Sequence, residues 1–413
     1  MTPPPPTPTP TGRWRDVVRA TGLLTPDGTT RPTIFAEMSA LAASTGAINL
    51  GQGFPDVDGP AAVKRAAIEA IEAGHNQYPP GSGIAALRAA VAGHQRHHYG
   101  LELDPETEVL VTTGATEALA AAVLALAGPG DEVLTLEPFY DSYAAVIALA
   151  GATHTTAPLT RGADGFRLDA AALRAAFSDR TRIVLLNSPH NPTGAVLTRT
   201  ELDLVAQLAT RHDAIVLTDE VYEHLVYDDA THVPFATLPG MASRTLTVSS
   251  AGKTFSFTGW KIGWVTGPAA LVEAVCAVKQ FLTYVSGAPF QPAIAAALTD
   301  DDVAVWVRKL ATSLAARRDL LCTGLERAGF AVVRPQGTYF VVADGAPLGF
   351  DDGAELCRKL PELAGVVGVP VSAFTRAGSV ADDALRSAVR FTFVKRESVL
   401  REAVDRLAAL TQR

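Results

Sequence analysis

Residues Thr245–Trp264 read TLTVSSAGKTFSFTGWKIGW, and the fold of the whole chain turns on how this stretch is understood. A β-branched run (Thr245, Thr247, Val248) stops at Ser249-Ser250-Ala251-Gly252, and Lys253 follows at once. Thr254, Phe255, Ser256, Phe257 and Gly259-Trp260 come next, with no acid close in sequence. An ammonium group set among aromatic and small residues loses hydration, which favours the neutral amine. A neutral lysine amine is suited to Schiff-base chemistry. The plain alternative is a lysine that leaves its stem in the core and its head in water. The stretch by itself supports both, so its neighbours have to decide.

At 413 residues the chain exceeds one ordinary domain and predicts two domains or one large α/β unit. Hydrophobic residues at 48% and charged residues at 19% describe a globular chain with a large core. The net charge of -8, with no basic stripe, argues against a nucleic-acid partner but leaves room for a small anionic ligand. Cys276, Cys322 and Cys357 stand far apart inside apolar helical patterns. They read as buried thiols in a reducing cytoplasm, and no metal-ligand spacing is present. No apolar run reaches membrane-span length. The opening MTPPPPTPTPTG lacks the basic and apolar regions of a signal peptide, and its Pro/Thr alternation predicts a disordered, extended tail over residues 1–12.

Residues 13–60 read as a lead-in segment that joins a small domain, with a helix around Thr33–Ser44 and a strand breaking into the loop GQGFPDVDGP. From 61 to 300 strands and helices alternate, predicting a mostly parallel sheet with both faces covered by helices. In such sheets a ligand lies beyond the carboxyl ends of the strands. From 301 to 413 the alternation weakens after a long helix near Asp300–Ala328, which predicts a smaller α+β domain.

Several predicted strands end in polar residues. IVLTDEVY ends at Asp219 and Tyr222, IVLLNSPHNPTG at Asn187 and Asn191, and the opening stretch at Ser250 and Lys253. Each has a bland account: a helix cap for Asp219, a turn residue for Asn191, core for Tyr222. An acid, an amide, a phenol and a lysine on successive strand ends are harder to dismiss together. VTTGATEAL runs from a strand through Gly114 into a helix start at Ala115-Thr116-Glu117, whose free N–H groups suit a phosphate. Thr116 also fits an ordinary N-cap. His94, His97 and His98 fall at a helix end without a carboxylate and read as a solvated helix end rather than a metal site.

The set GQGFPD, NQYPPGSG, TTGATEAL, EPFYDSY, NSPHNPTG, TDEVYE, SSAGKTFSFTGWKIGW and RFTFVKRE resembles the class I aminotransferases of pyridoxal-phosphate (PLP) fold type I. The resemblance runs from Phe35 to the C-terminus. Within the family it is similar to the kynurenine/glutamine/methionine branch, and closest to actinobacterial enzymes assigned as N-succinyl-diaminopimelate aminotransferases. It implies that Lys253 holds PLP covalently and carries the proton between substrate and cofactor. Asp219 would keep the pyridine nitrogen protonated, making the ring an electron sink. Tyr222 and Asn191 would bond the ring oxygen, and Tyr140 would stack on the ring. Ser250, Lys261 and the Ala115 and Thr116 amides would meet the phosphate, joined by Tyr78 from the neighbouring subunit of a homodimer with shared sites. Arg390 would clamp the substrate carboxylate beside Gly53, the alternative being a surface ion pair. Phe35 and Tyr284 would shape the side-chain pocket. Val285 stands where kynurenine-type relatives often carry histidine.

The expected activity is transfer of an amino group from an L-amino acid to a 2-oxo acid by a ping-pong cycle in the cytoplasm. The donor is N-succinyl-LL-diaminopimelate, or alternatively glutamine, methionine or an aromatic amino acid. C–S β-lyase and amino-acid oxidase chemistry use the same fold and lysine. Some transcription regulators fuse this fold to a DNA-binding domain, but only about a dozen residues precede Arg13. A succinylated donor would want a second cation, for which Arg13, Arg15, Arg31 and Lys279 are the unplaced choices.

Overall fold

A computed structural model of the chain describes residues 10–162 and 165–412, so most of the expected proline-rich tail lies outside the described residues. The helices follow their sequence signals closely. Thr33 caps the helix Ile34–Thr45 by accepting the Ala36 N–H. Thr198 and Glu201 form a reciprocal capping box at the start of Arg199–Arg211. The long helix spans Asp301–Arg327 and is capped by Asp300, whose carboxylate accepts from the N–H groups of Asp302 and Val303.

The large sheet has eight strands in the order Val109–Thr113, Ile262–Thr266, Thr245–Ser250, Ile215–Asp219, Thr181–Asn187, Glu132–Glu137, Thr153–Gly162 and Gly165–Leu168. Its central strands are apolar and buried on both faces, as parallel strands covered by helices must be. Alternate residues feed two cores. Leu185, Leu217 and Val248 pack with Ala118, Ala122 and Val275 on one side. Val184, Leu186 and Val216 pack with Leu202 and Val205 on the other.

The sheet is mostly parallel, as expected, with two of its strands reversed. Ile262–Thr266 runs antiparallel to both of its neighbours, and Gly165–Leu168 runs antiparallel to Thr153–Gly162. The connection from Ser250 to Ile262 holds one short helix, Ala251–Thr254, and a single turn of 3-10 helix. That is too little chain for the crossover a parallel return requires.

The strand register gathers the polar ends at one edge. Asn187 lies opposite Asp219, and Asp219 lies opposite Val248. Ser250 and Thr112 both lie opposite Gly263, so the helix Gly114–Leu126 starts beside the end of the Lys253 strand.

A second, antiparallel sheet is ordered Ala331–Val333, Phe340–Asp344, Ala388–Thr392 and Val369–Pro370. The long helix and Glu397–Leu407 pack together against it. Ile48–Asn49 joins this part of the molecule by pairing with Val366–Val367. The histidine-rich helix end also differs from expectation. His97 and His98 are exposed, but His94 is only 7% exposed and its ring meets His224 from the loop after Asp219. Sequence distance hid that partner.

A Cβ added to Gly263 would lie 2.6 Å from the Gly114 carbonyl carbon and 2.8 Å from the Ala115 nitrogen. Gly263→Ala must therefore push the helix start away from the sheet edge. We expect it to destabilise the fold by about 1–3 kcal/mol, as overpacking does. An unchanged urea midpoint would mean that the helix start yields freely.

Candidate active site

The polar strand ends converge on a cavity of about 340 Å³ between the two sheets. Phe35, Gly53, Ala115, Thr116, Tyr140, Asn191, Asp219, Tyr222, Ser250, Lys253, Lys261 and Arg390 all line it. Two expected residues do not. Tyr78 is 82% exposed, and Tyr284, turned by a left-handed backbone (φ 62), packs edge-on against it at 5.6 Å. Tyr284 therefore does not shape the cavity of its own chain.

Lys253 sits in the short helix Ala251–Thr254 that follows the Thr245–Ser250 strand. Its Nζ donates to the Tyr339 hydroxyl at 2.9 Å and lies 5.7 Å from the centre of the Tyr222 ring. Tyr339 in turn donates to the Gly53 carbonyl at 2.7 Å. A phenol has one proton, so once it donates to Gly53 it can only accept from the lysine.

Asp219 is buried, and none of its hydrogen bonds comes from a cation. The Tyr143 hydroxyl donates to its Oδ2 at 2.7 Å, and the Val221 N–H to its Oδ1 at 3.4 Å. Burial pushes its carboxyl up to about 6, against the opposing pull of Tyr143, Val221 and the Lys253 charge. Keeping this carboxylate ionised at neutral pH therefore costs the fold about 3 kcal/mol.

Arg390 is no surface ion pair. It is 2% exposed, on the strand Ala388–Thr392, and stacks on Phe340 and Phe374 at 4.0 and 4.6 Å. Its terminal nitrogens donate to Asn191 Oδ1 at 3.0 Å and to the Gly51 carbonyl at 2.9 Å. Its buried Nε has no partner among the described residues. Burial draws even this guanidinium down, to about 10. A buried cation without an acid is costly, and a ligand carboxylate is its natural complement.

Thr116 does not cap the helix Gly114–Leu126. Thr113 takes the N-cap position without a side-chain cap of its own; the Glu117 carboxylate accepts from the Thr113 N–H, and the Ala115 and Thr116 N–H groups have no side-chain acceptor among the described residues. The positive end of the helix is thus left for a ligand, with Lys261 beside it: its Nζ would lie 3.4 Å from a Cβ built on Gly114. Among the described residues, none of Lys253, Lys261 and Arg390 is ion-paired to a carboxylate. Gly53 is required by close packing, because a Cβ there would meet Phe340 at 2.3 Å.

The family model "Aminotransferase class I and II" matches residues 45–407. The chain belongs to this family. Across 385 residues the aminotransferase is 57% identical to the probable N-succinyldiaminopimelate aminotransferase of Mycobacterium tuberculosis, covering 92% of this chain and 96% of that one. A solved structure of N-succinyldiaminopimelate aminotransferase from the same organism has a TM-score of 0.90 at 55% identity, covering 97% of this chain and 100% of that one. The kynurenine–oxoglutarate transaminase of Dictyostelium discoideum is 37% identical over 92% of this chain and 94% of its own length. The fold is PLP fold type I and the enzyme is a PLP-dependent transaminase. The donor set fits that cofactor: a carboxylate without a hydrogen-bonded cation for the pyridinium, a helix start with a lysine beside it for the phosphate, and the Lys253 amine on the same cavity.

Sequence reasoning missed Tyr143 and Tyr339. Tyr143 stands in the EPFYDSY motif, and its spacing of three from Tyr140 would have put both on one side of a helical turn. Tyr339 lay in GTYF without a polar neighbour to mark it.

Two expectations follow. Asp219 loses its charge as pH falls through about 6, so binding of PLP to the apoenzyme should weaken below that pH and hold above it. A flat recombination profile from pH 5 to 8 would contradict this pairing. Tyr339→Phe keeps the ring but removes both hydrogen bonds of its hydroxyl. Turnover should fall roughly tenfold, the worth of one hydrogen bond to a charged group. Steady-state kinetics beside a melting curve checks it: equal loss of stability and rate would make Tyr339 merely structural.

Proposed function

We propose that this aminotransferase moves the amino group of N-succinyl-LL-diaminopimelate to 2-oxoglutarate by a ping-pong cycle. The observation that carries the proposal is the 57% identity, over nearly the full length of both chains, to the M. tuberculosis relative of that name. Bound PLP supplies an electron sink for the charge that develops at the substrate Cα. Everything else falls to this chain. The Asp219 carboxylate holds the pyridine nitrogen protonated, and Tyr143 orients that carboxylate. Asn191 accepts from Arg390 through its oxygen, so its amide nitrogen is left to donate to the ring oxygen together with Tyr222. Ser250, Lys261 and the Ala115 and Thr116 amides hold the phosphate, and Tyr140 covers the ring. Arg390 grips the α-carboxylate beside Gly53, and the Lys253 amine would move the proton between the substrate Cα and the C4′ of the bound cofactor. Residues 61–300 make up the PLP-binding unit of this proposal, residues 301–413 the small unit, and 13–60 the segment joining it.

A homodimer with shared sites is part of the proposal. The exposed aromatic pair Tyr78 and Tyr284, with Phe281 at 89% exposure nearby in sequence, supports a face that a second copy covers. A cytoplasmic location is supported by three free cysteines. No helix among the described residues is long and apolar enough to cross a membrane.

One observation favours the second reading, a broad-specificity donor range. The cations lining the cavity are Lys253, Lys261 and Arg390, each already given a role. Arg31 bonds the Gly22 carbonyl, Lys279 bonds the Gly81 carbonyl, Arg15 lies over Trp14 and Arg13 lies against Gly151. None of these lines the cavity, so within one chain the rim offers Phe35, Phe54, Tyr140 and the Gln52 amide instead.

The spectral half-reaction from the pyridoxal to the pyridoxamine form, run across L-amino acids and N-succinyl-LL-diaminopimelate, separates the readings. Conversion fastest by tenfold or more with the succinylated donor is the expected result. Equal or faster conversion with glutamine, methionine or aromatic donors would give the second reading. Pyruvate and ammonia from cystathionine would mark a β-lyase. Lys253→Ala should lose both turnover and the absorbance of the lysine-bound cofactor.

A further inference from the structure

The helix Ala85–Tyr99 carries His94 and His98 one turn apart, and the loop after Asp219 brings His224 against both. One ring nitrogen from each of the three lies within 4.8 Å of the others. The rings meet with centroids 4.5 Å apart for His94 and His98, and 5.0 Å for each of these with His224. We propose that His94, His98 and His224 form a binding site for a divalent transition metal of the zinc type.

The geometry asks for little movement. Zinc–nitrogen bonds of about 2.0–2.1 Å in a tetrahedron put ligand nitrogens roughly 3.3 Å apart. The His94 and His224 Nε2 atoms, at 2.8 Å, must part by about half an ångström. His98 is exposed, so its ring is free to swing inward, and water reaches a fourth position from the same side.

A neutral imidazole has one donor and one acceptor nitrogen. His94 Nε2 faces His224 Nε2, so one of the two rings already presents a lone pair there.

The surroundings suit a cation. Glu223 is buried against His94 and His224 and accepts from the Tyr99 hydroxyl at 2.7 Å. The Ser249 hydroxyl also donates to it, so Glu223 is a hydrogen-bond acceptor behind the ligands. Arg308 and His97 are the cationic or titratable groups near His98 on the solvent side. The site lies apart from the cavity, whose lining includes none of these histidines. A bound metal would tie the helix Ala85–Tyr99 to the segment that carries Asp219 and Tyr222.

The test uses the untagged, PLP-loaded enzyme after removal of metals with a chelator, titrated with zinc chloride by calorimetry. One zinc per chain with a raised melting temperature is expected, and cobalt should give the visible bands of a tetrahedral site. His98→Gln should weaken zinc binding by at least the roughly 10–100-fold that loss of even an outer partner costs a metal site. It should leave transamination unchanged. His97→Gln, on the same exposed turn, should bind zinc like the wild type. His224→Gln is the second variant, and it should also lose the site. Absence of saturable binding at a several-fold excess of zinc would overturn the proposal. So would equal weakening by His97→Gln and His98→Gln, which marks adventitious surface binding only.

Discussion

The structure turns on an anion buried without a cation hydrogen-bonded to it. Asp219 ends a central strand of the large sheet, where Tyr143 and a backbone N–H are its hydrogen-bond donors. A carboxylate so placed opposes the fold until something positive meets it. Arg390 is the mirror case, a buried guanidinium with no acid hydrogen-bonded to it, across the cavity on the other sheet. The two unmet charges mark opposite ends of the space that a pyridinium cofactor and an amino-acid carboxylate would fill. Burial that would be a defect in an inert core is here the reason the ligands bind.

The rest of the site follows from the sheet edge. Parallel strands ending together present Asn187, Asp219 and Ser250 side by side, and the reversed strand Ile262–Thr266 brings the start of the helix Gly114–Leu126 next to them. The reversal had no clear signal in the sequence, since IGWVT reads as an apolar strand in either direction. Only the shortness of the connection after Lys253 hints at it. The mixed character of the sheet is thus a requirement of the site, because it sets the phosphate-binding helix beside the lysine.

Much of the site was legible because polar residues at the ends of apolar runs are unusual, and Asp219, Asn191, Lys253 and Ser250 all announce themselves in that way. Arg390 was legible only through family resemblance; composition alone left it as a surface ion pair. Tyr143 and Tyr339 stayed hidden because a tyrosine in an apolar pattern looks like core until its hydroxyl has a partner. His224 stayed hidden for a different reason. Its partner His94 lies 130 positions earlier in the chain, and nothing local couples them. That no further cation lines the cavity among the described residues is likewise a three-dimensional fact.

The clip between the N-terminal loop and the far end of the chain has a mechanical consequence. Leu50 takes part in backbone hydrogen bonds with both Val367 and Thr392, Arg390 holds Gly51, Lys395 holds the Phe54 carbonyl, and Arg396 holds Asp56. Residues 48–56 therefore travel with the second sheet, although almost the whole large sheet separates them from it in sequence. The groups assigned to the substrate, Gly53, Phe54 and Arg390, become one jaw. Those assigned to the cofactor, Asp219, Ser250 and Lys253, form the other. Any separation of the two would break contacts such as Arg390 to Asn191 and Lys253 to Tyr339, so the grip on the substrate and the placing of the lysine amine depend on the same fit.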